Sequence, residues 1–331
     1  MIPPSGAIPL SAPCNGQALL DGSIPSVASR LTHALQCAGA RGGPSRWQVC
    51  KLADGRQAHV FTVRALDESP LLASTDDAGG LVVKVYRVGD ADDRAAARDE
   101  FECLHRLRTR VDGTTTHGWT VRCPRPLYLC GASATLVMTR VSGAHLSRHL
   151  LRGISPPDGL LDSICRATVA TLLRYWAGEP RLYGDLILDN VLCDVSTRTL
   201  TLVDPGMPEP SYVCDGAPRS WYPASRDLGF LLFWAASLLR RAIAHPFLHF
   251  RQNDLARRIV QAFLDRLDAP AEREAALGEI EACARLHLGR MRLSSSSPKG
   301  LWRRLVKWSA TRTLEQISEE LRETAPTATK Q

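Results

Sequence analysis

The chain of 331 residues is long enough to bury a large hydrophobic core in one or two domains. Its 44% hydrophobic and 23% charged residues are typical of a globular protein and exclude a disordered chain. A net charge of +7 permits anionic partners without selecting among them, and no apolar run reaches the roughly 18 residues needed to span a bilayer.

The N-terminal part predicts little regular structure. Residues 1–45 are rich in Pro, Gly, Ser and Ala, which predicts a flexible extension with one short helix near 27–38. This start has neither the basic residues nor the unbroken apolar stretch of a signal peptide, so we expect a cytoplasmic location. Ten cysteines without C-x-x-C pairs or zinc-ligand spacing favour buried apolar thiols in a reducing compartment.

The next part of the chain, residues 46–139, predicts a small antiparallel sheet that carries one helix. Apolar alternation and flanking turn residues predict strands over 47–52, 60–64, 81–86, 126–130 and 134–139. Helical spacing of apolar residues predicts a helix over 92–108. A polar stretch over 67–80 is typical of a loop.

The second half is predicted to be mainly helical. Candidate helices cover 160–176, 228–239, 255–267, 271–288 and 301–322. The helix over 228–239 is apolar nearly all round, which predicts burial inside a domain. We expect one large domain over 140–292, followed by a basic amphipathic helix within 293–331.

One constellation of polar residues points to phosphoryl transfer. Gly184-Asp185 is followed five positions later by Asn190, and fourteen residues after Asn190 an apolar strand leads into Asp204-Pro205-Gly206. Transfer of a phosphate needs a carboxylate that orients the acceptor hydroxyl, and oxygen ligands for Mg²⁺. A surface turn is the plain alternative for the first segment alone, but the full combination is a poor match for chance.

The pattern G-D-x-x-x-x-N-V-L, then a strand, then D-x-G resembles the catalytic and metal-binding loops of the protein-kinase-like superfamily. The aminoglycoside-phosphotransferase-like and RIO-like branches are the most similar. The resemblance implies an α+β, two-lobed protein-kinase-like fold, with a small lobe over 46–139, a large lobe over 140–292, and ATP and Mg²⁺ as cofactors. It also implies that Asp185 is the catalytic carboxylate and that Asn190 and Asp204 bind magnesium.

The same resemblance implies a set of nucleotide-binding residues. Lys84, in V-V-K-V-Y, would contact the phosphates, and Glu100 would pair with Lys84, with Glu102 as the competing candidate. Gly55, between two strands, would let the backbone approach a phosphate. The plain alternatives are an edge lysine with its amine in water, a solvated glutamate and a simple hairpin turn.

The strand end near 139 resembles the segment that joins the two lobes in this superfamily. Met138 would border the adenine, and the backbone from Thr139 to Val141 would hydrogen-bond it; an ordinary strand ending in a turn is the alternative. Asp227 begins the apolar helix and would brace the catalytic loop, so we count it as structural.

Departures from the family pattern limit the functional class. Tyr183 stands where the family has the histidine of H-G-D, Pro205 replaces the phenylalanine of D-F-G, and no A-P-E motif follows. These changes disfavour a eukaryotic-type protein kinase with a phosphorylated activation loop. A kinase-like protein that binds nucleotide or a partner without turnover is the alternative function. The acceptor is left open between a small molecule, a saccharide or lipid headgroup, and a protein.

The C-terminal segment combines basic residues with tryptophans over 299–312. This composition suits peripheral contact with an anionic membrane, which would be the inner membrane face, or a helix packed on the protein with an exposed basic edge. No nucleic-acid-binding motif accompanies it, so no nucleic-acid partner is expected.

Overall fold

The computed structural model describes residues 27–38, 47–54, 57–65, 80–87, 91–131, 133–147, 158–178, 181–206, 221–237, 246–290 and 298–324. These residues form an α+β protein with two five-stranded sheets and several helices. The chain divides into two compact units. The first contains Met1–Asp112 and Arg122–Ser142, and the second contains Gly113–Val121 and Gly143–Gln331.

The helices and strands follow one another in this order: α1 (Val27–Cys37), β1 (Trp47–Asp54), β2 (Ala58–Ala65), β3 (Leu81–Tyr86), α2 (Ala91–Val111), β4 (Thr115–Thr116), β5 (Trp119–Arg122), β6 (Pro126–Cys130), β7 (Thr135–Thr139), β8 (Ala144–His145), α3 (Asp158–Trp176), a 3₁₀ turn (Leu188–Asn190), β9 (Val191–Asp194), β10 (Thr199–Leu202), α4 (Ala224–Ser237), α5 (Pro246–Leu264), α6 (Pro270–Arg290) and α7 (Pro298–Glu323).

The first unit is built on an antiparallel sheet of order β1-β2-β3-β7-β6. Side chains alternate between the two faces of a strand, and β3 shows this alternation clearly. Leu81, Val83 and Val85 enter the apolar cluster that contains α1. Tyr86 enters the cluster that contains residues of α2. Each face of the sheet is therefore covered by one helix, and Lys84 is on the α2 face.

Helix α1 belongs to the core of the first unit. Leu31 and Leu35, spaced four apart on one side of the helix, are buried in the sheet cluster. Arg30 is 4% exposed, and its guanidinium donates to the carbonyls of Ser133 (2.9 Å) and Tyr86 (2.7 Å). The sequence predicts one short helix near 27–38 within a flexible extension over 1–45, and the structure has that helix at Val27–Cys37. It is packed because its apolar stripe closes one face of the sheet.

The second unit combines a sheet of order β4-β5-β10-β9-β8 with helices α3 to α7. Helix α4 is buried on nearly all sides and contacts α5, α6 and α7. At Gly229 an added Cβ would lie 2.6 Å from the Cβ of Cys283 and 2.7 Å from the carbonyl oxygen of Ile280. Glycine at this position therefore allows α4 and α6 to approach more closely than any side chain would permit.

The described part of the chain bears on two predictions, those about membrane-spanning helices and about cysteines. No helix there is long and apolar enough to cross a membrane. Eight cysteines are described as free thiols, and most are buried. The buried ones are Cys103, Cys123, Cys130, Cys165, Cys193 and Cys283.

Candidate active site

A buried ion pair lies on the α2 face of the first unit. The Nζ atom of Lys84 on β3 is 2.6 Å from Oε1 of Glu100 on α2. Lys84 is 8% exposed and Glu100 is 4% exposed, so both charges are removed from water. The second carboxylate oxygen of Glu100 accepts a hydrogen bond from the hydroxyl of Tyr86. Glu102, the competing candidate, is exposed, so the described geometry joins Lys84 to Glu100.

The end of β7 has a particular hydrogen-bonding pattern. The N–H of Thr139 donates to the carbonyl of Arg125 (2.9 Å), and the N–H of Arg140 donates to that of Gly80 (2.9 Å). The N–H of Arg125 donates to the hydroxyl of Thr139 (2.8 Å) rather than to its carbonyl. Val141 follows directly, outside the strand. The N–H groups at 139 and 140 are therefore used within the sheet.

Met138 is 4% exposed and packs in the α2-side apolar cluster with Tyr86, Leu104 and Leu136. Gly55, the residue predicted to approach a phosphate, lies outside the described residues.

In the second unit Asn190 joins the parts of the predicted catalytic motif. Its Nδ2 donates to the backbone carbonyl of Asp185 (2.8 Å) and to Oδ2 of the same residue (3.1 Å). The backbone carbonyl of Asn190 accepts from the N–H of Val203 (3.0 Å), the residue before Asp204. One buried asparagine therefore holds the catalytic-loop aspartate and the strand end that leads into the second aspartate.

Tyr183 strengthens the same junction. Its side chain is fully buried, and its hydroxyl donates to the carbonyl of Val203. Tyr175 on α3 packs edge-on against Tyr183 with ring centroids 6.0 Å apart, and its hydroxyl donates to the carbonyl of Leu182 (3.1 Å). Tyr183 thus supports the loop from the position where the superfamily that the motif resembles has a histidine.

Backbone conformation and close contact constrain the residues around Asp185. Gly184 has φ +93°, a region that favours glycine. Asp204 has φ +57°, which is uncommon for a residue with a side chain and occurs at functional sites when neighbouring structure enforces it. A Cβ added at Gly206 would lie 3.3 Å from the Cβ of Asp185, so the glycine of D-x-G lies directly against the predicted catalytic residue.

Asp227, in the first turn of α4, braces the loop from within the core. Its carboxylate accepts hydrogen bonds from the N–H groups of Tyr183 (2.7 Å) and Gly184 (2.9 Å) and from Nε1 of Trp176 (2.9 Å). Burial raises its pKa to about 6, and the three donors oppose that shift by favouring the ionised form. The predicted structural role of Asp227 corresponds to these contacts.

A second brace comes from His145 on β8 and from Ser147 just after it, and was not predicted from the sequence. Ser147 donates to the carboxylate of Asp189, and a ring nitrogen of His145 contacts the backbone carbonyl of Asp189. These contacts hold the 3₁₀ turn (Leu188–Asn190) through Asp189. The signal was absent from the sequence because the partners are more than forty residues apart and form no motif.

The two predicted magnesium ligands are one amide and one carboxylate. Asn190 offers a carboxamide oxygen and Asp204 a carboxylate, which are the hard ligands that Mg²⁺ prefers. Among the described residues, no group of three or more His, Cys, Asp or Glu side chains could hold a metal ion. Mg²⁺ is commonly bound by one or two protein carboxylates, with phosphate oxygens and water completing its shell. Asn190 and Asp204 would therefore supply only part of such a shell.

Of the predicted site residues, the structure joins Lys84 to Glu100 in the first unit, and Asp185 to Asn190 and the chain before Asp204 in the second. No protein-family model matches the chain and no curated protein matches it in sequence, so the functional argument depends on these residues themselves.

Proposed function

We propose that the chain is an ATP-dependent phosphotransferase that moves the γ-phosphate to a hydroxyl acceptor. The observation that carries the proposal is the double role of Asn190, whose amide holds Asp185 while its backbone holds Val203, next to Asp204. A simple surface turn would not require one buried asparagine to contact both of these segments. The buried supports from Tyr183 and Asp227 are those expected of a loop whose carboxylate must be held in a precise position.

The roles of the second-unit residues follow from their chemistry. Asp185 is partly exposed, so its carboxylate can orient an incoming hydroxyl and accept its proton. The carboxamide oxygen of Asn190 and the carboxylate of Asp204 would hold Mg²⁺. When bound, the ion neutralises charge on the phosphates and positions them. The Asn190 Nδ2 bond to Asp185 keeps the asparagine side chain oriented.

In the first unit, Lys84 and Glu100 support nucleotide binding. Burying two charges carries a large desolvation cost, and an apolar pair of the same size would be equally stable or more so. A buried ion pair on a central strand is therefore better explained by a function of the Lys84 ammonium than by a gain in stability. Lys84 would donate to the nucleotide phosphates while Glu100 fixes its position.

Adenine recognition is assigned to the end of β7. The Thr139 carbonyl would accept a hydrogen bond from the base and the Val141 N–H would donate one, with Met138 bordering the ring. A two-lobed protein-kinase-like fold is part of this proposal. The sheet order, the lysine on the central strand and the glutamate on the helix that covers it support that fold.

The direct test follows transfer of labelled γ-phosphate from ATP in a lysate, comparing wild type with Asp185→Ala. Loss of a general base lowers such rates by about 10²–10⁴-fold, so we expect a labelled product with wild type and nearly none with the variant. Asp268→Ala removes an exposed carboxylate elsewhere in the second unit and should leave transfer unchanged. Equal labelling by wild type and Asp185→Ala would refute the assignment.

A binding measurement separates the enzyme from a nucleotide-binding protein without turnover. Mg²⁺-ATP at about 100 times its Kd should stabilise the folded chain by about 2.7 kcal/mol. Asn190→Ala and Asp204→Asn should remove the Mg²⁺ dependence of that stabilisation. A stabilisation without any phosphate transfer would favour the inactive alternative, and no response to ATP would reject nucleotide binding altogether.

A further inference from the structure

Helix α7 has one face committed to the core of the second unit. Its buried side chains recur at intervals of three or four, as expected for one side of a helix that packs on neighbouring helices. They are Val306, Ala310, Leu314, Ile317 and Leu321. The contacts of α7 are with α4, α5 and α6.

The opposite face of the first half of α7 exposes large apolar side chains. Trp308 is 64% exposed and Leu305 is 48% exposed, and residues three apart lie on one side of a helix. Trp308 is the most exposed large hydrophobic residue in the part of the chain that the structure describes. The guanidinium of Arg312, four residues further, lies 6.0 Å from the centroid of the Trp308 ring. Leu305, Trp308 and Arg312 therefore form one continuous surface, called here the outer face.

Charge is divided unevenly along α7. Residues 298–312 contain five basic and no acidic residues, a net charge of +5. Residues 313–323 contain four glutamates and one arginine, a net charge of −3. An ordinary solvated helix face mixes the two signs, often in pairs three or four apart. The basic half coincides with the exposed leucine and tryptophan, and Arg303 and Arg304 are also exposed.

We propose that the outer face of α7 docks on an anionic lipid surface. Leu305 and Trp308 would enter the boundary between headgroups and acyl chains, and Arg304 and Arg312 would contact lipid phosphates. A tryptophan beside arginines also suits nucleic acid. Bases stack on aromatic rings, however, so binding of nucleic acid would not explain the exposed aliphatic Leu305. This inference is independent of the proposed phosphotransfer, since none of its residues belongs to the candidate active site.

The test is co-sedimentation of the full chain with large unilamellar vesicles. Phosphatidylcholine vesicles with 30% phosphatidylserine should bind at least tenfold more protein than pure phosphatidylcholine vesicles, and 0.5 M NaCl should remove most of the difference. Each basic residue near such a surface contributes about fivefold in partitioning, so Arg304→Gln/Arg312→Gln should bind about 25-fold less. Leu305→Ser/Trp308→Ser should lose at least tenfold.

Matched controls separate this face from general effects of charge and apolarity. Leu52→Ser removes a side chain that is 63% exposed on β1, and Arg87→Gln removes an exposed arginine of the first unit. Both should bind vesicles as wild type does. Thermal melting of every variant checks that it is folded. Absence of vesicle binding by wild type, or equal binding by Leu305→Ser/Trp308→Ser, would overturn the proposal. So would binding to single-stranded RNA that displaces the vesicles and persists in Leu305→Ser.

Discussion

Removing the Tyr183 hydroxyl should weaken both the fold and the metal site. Tyr183→Phe keeps the buried ring but deletes the donor to the carbonyl of Val203. Loss of one buried hydrogen bond, which leaves a carbonyl without that donor, costs about 1–2 kcal/mol. Because Val203 precedes the proposed magnesium ligand Asp204, the strand end also loses a positional restraint. Supports of a metal ligand typically contribute about 10–100-fold in affinity, so we expect about a tenfold rise in the Mg²⁺ concentration needed for ATP binding.

Tyr175→Phe is the matched control, because it also deletes a fully buried tyrosine hydroxyl that donates to a backbone carbonyl, that of Leu182 at 3.1 Å. Urea unfolding at pH 7 should show a similar loss of about 1–2 kcal/mol in both variants. A Mg²⁺ titration of the ATP-induced rise in melting temperature should then separate them, since only Tyr183 is bonded next to Asp204. Equal Mg²⁺ dependence in the two variants, or unchanged stability of Tyr183→Phe, would refute this reasoning.

Three further predictions test the supports of the site. Burial raises the pKa of Asp227 to about 6 in the folded state, above its ordinary value of 3.8. The folded state therefore binds more protons between these values, and stability falls as pH rises through them, by up to about 3 kcal/mol. The free energy of urea unfolding of wild type should fall relative to that of Asp227→Asn over that window, and parallel pH profiles would contradict it. Lys84→Met should lose about 3–5 kcal/mol because Glu100 is left buried without its cation, while Lys84→Met/Glu100→Gln should lose less, by the same urea assay. Gly229→Ala should lose about 1–3 kcal/mol because its Cβ would lie 2.6 Å from a Cβ of α6, whereas Gly278→Ala, with nothing within 4 Å, should gain about 0.5–1 kcal/mol.

Local sequence patterns predicted the elements best where one physical signal dominates. Strands β3 and β6 have the predicted limits, because apolar alternation ends abruptly at turn residues in both. Three helices begin earlier than their apolar periodicity suggests, at Pro246, Pro270 and Pro298. Proline is favoured in the first turn of a helix, where its missing N–H costs nothing. Each proline is therefore a sequence signal for the start of its helix.

Long-range partners account for what the sequence did not predict. Arg30 looks like a surface residue of a short helix, yet its guanidinium bonds to carbonyls about 56 and 103 residues away. Strands β4 and β8 have two residues each, too few for any alternation to appear. The motif around Asp185 was visible because its parts are contiguous, whereas its support from Ser147 depends on tertiary structure.

The contacts that support Asp185 come from separate elements. This arrangement helps to distinguish the proposed enzyme from a protein that binds nucleotide without turnover. Asp227 on α4 holds the N–H groups before Asp185, Asn190 holds its side chain, and Gly206 lies against its Cβ. Keeping the carboxylate of Asp227 in a site that raises its pKa costs stability, and three well-placed donors offset that cost only in part. Binding a nucleotide tolerates errors of position that proton transfer does not, since a misplacement of about 1 Å can lower a rate by about 10²-fold. Rigid support concentrated on one partly exposed carboxylate therefore favours the proposed phosphotransferase over passive binding.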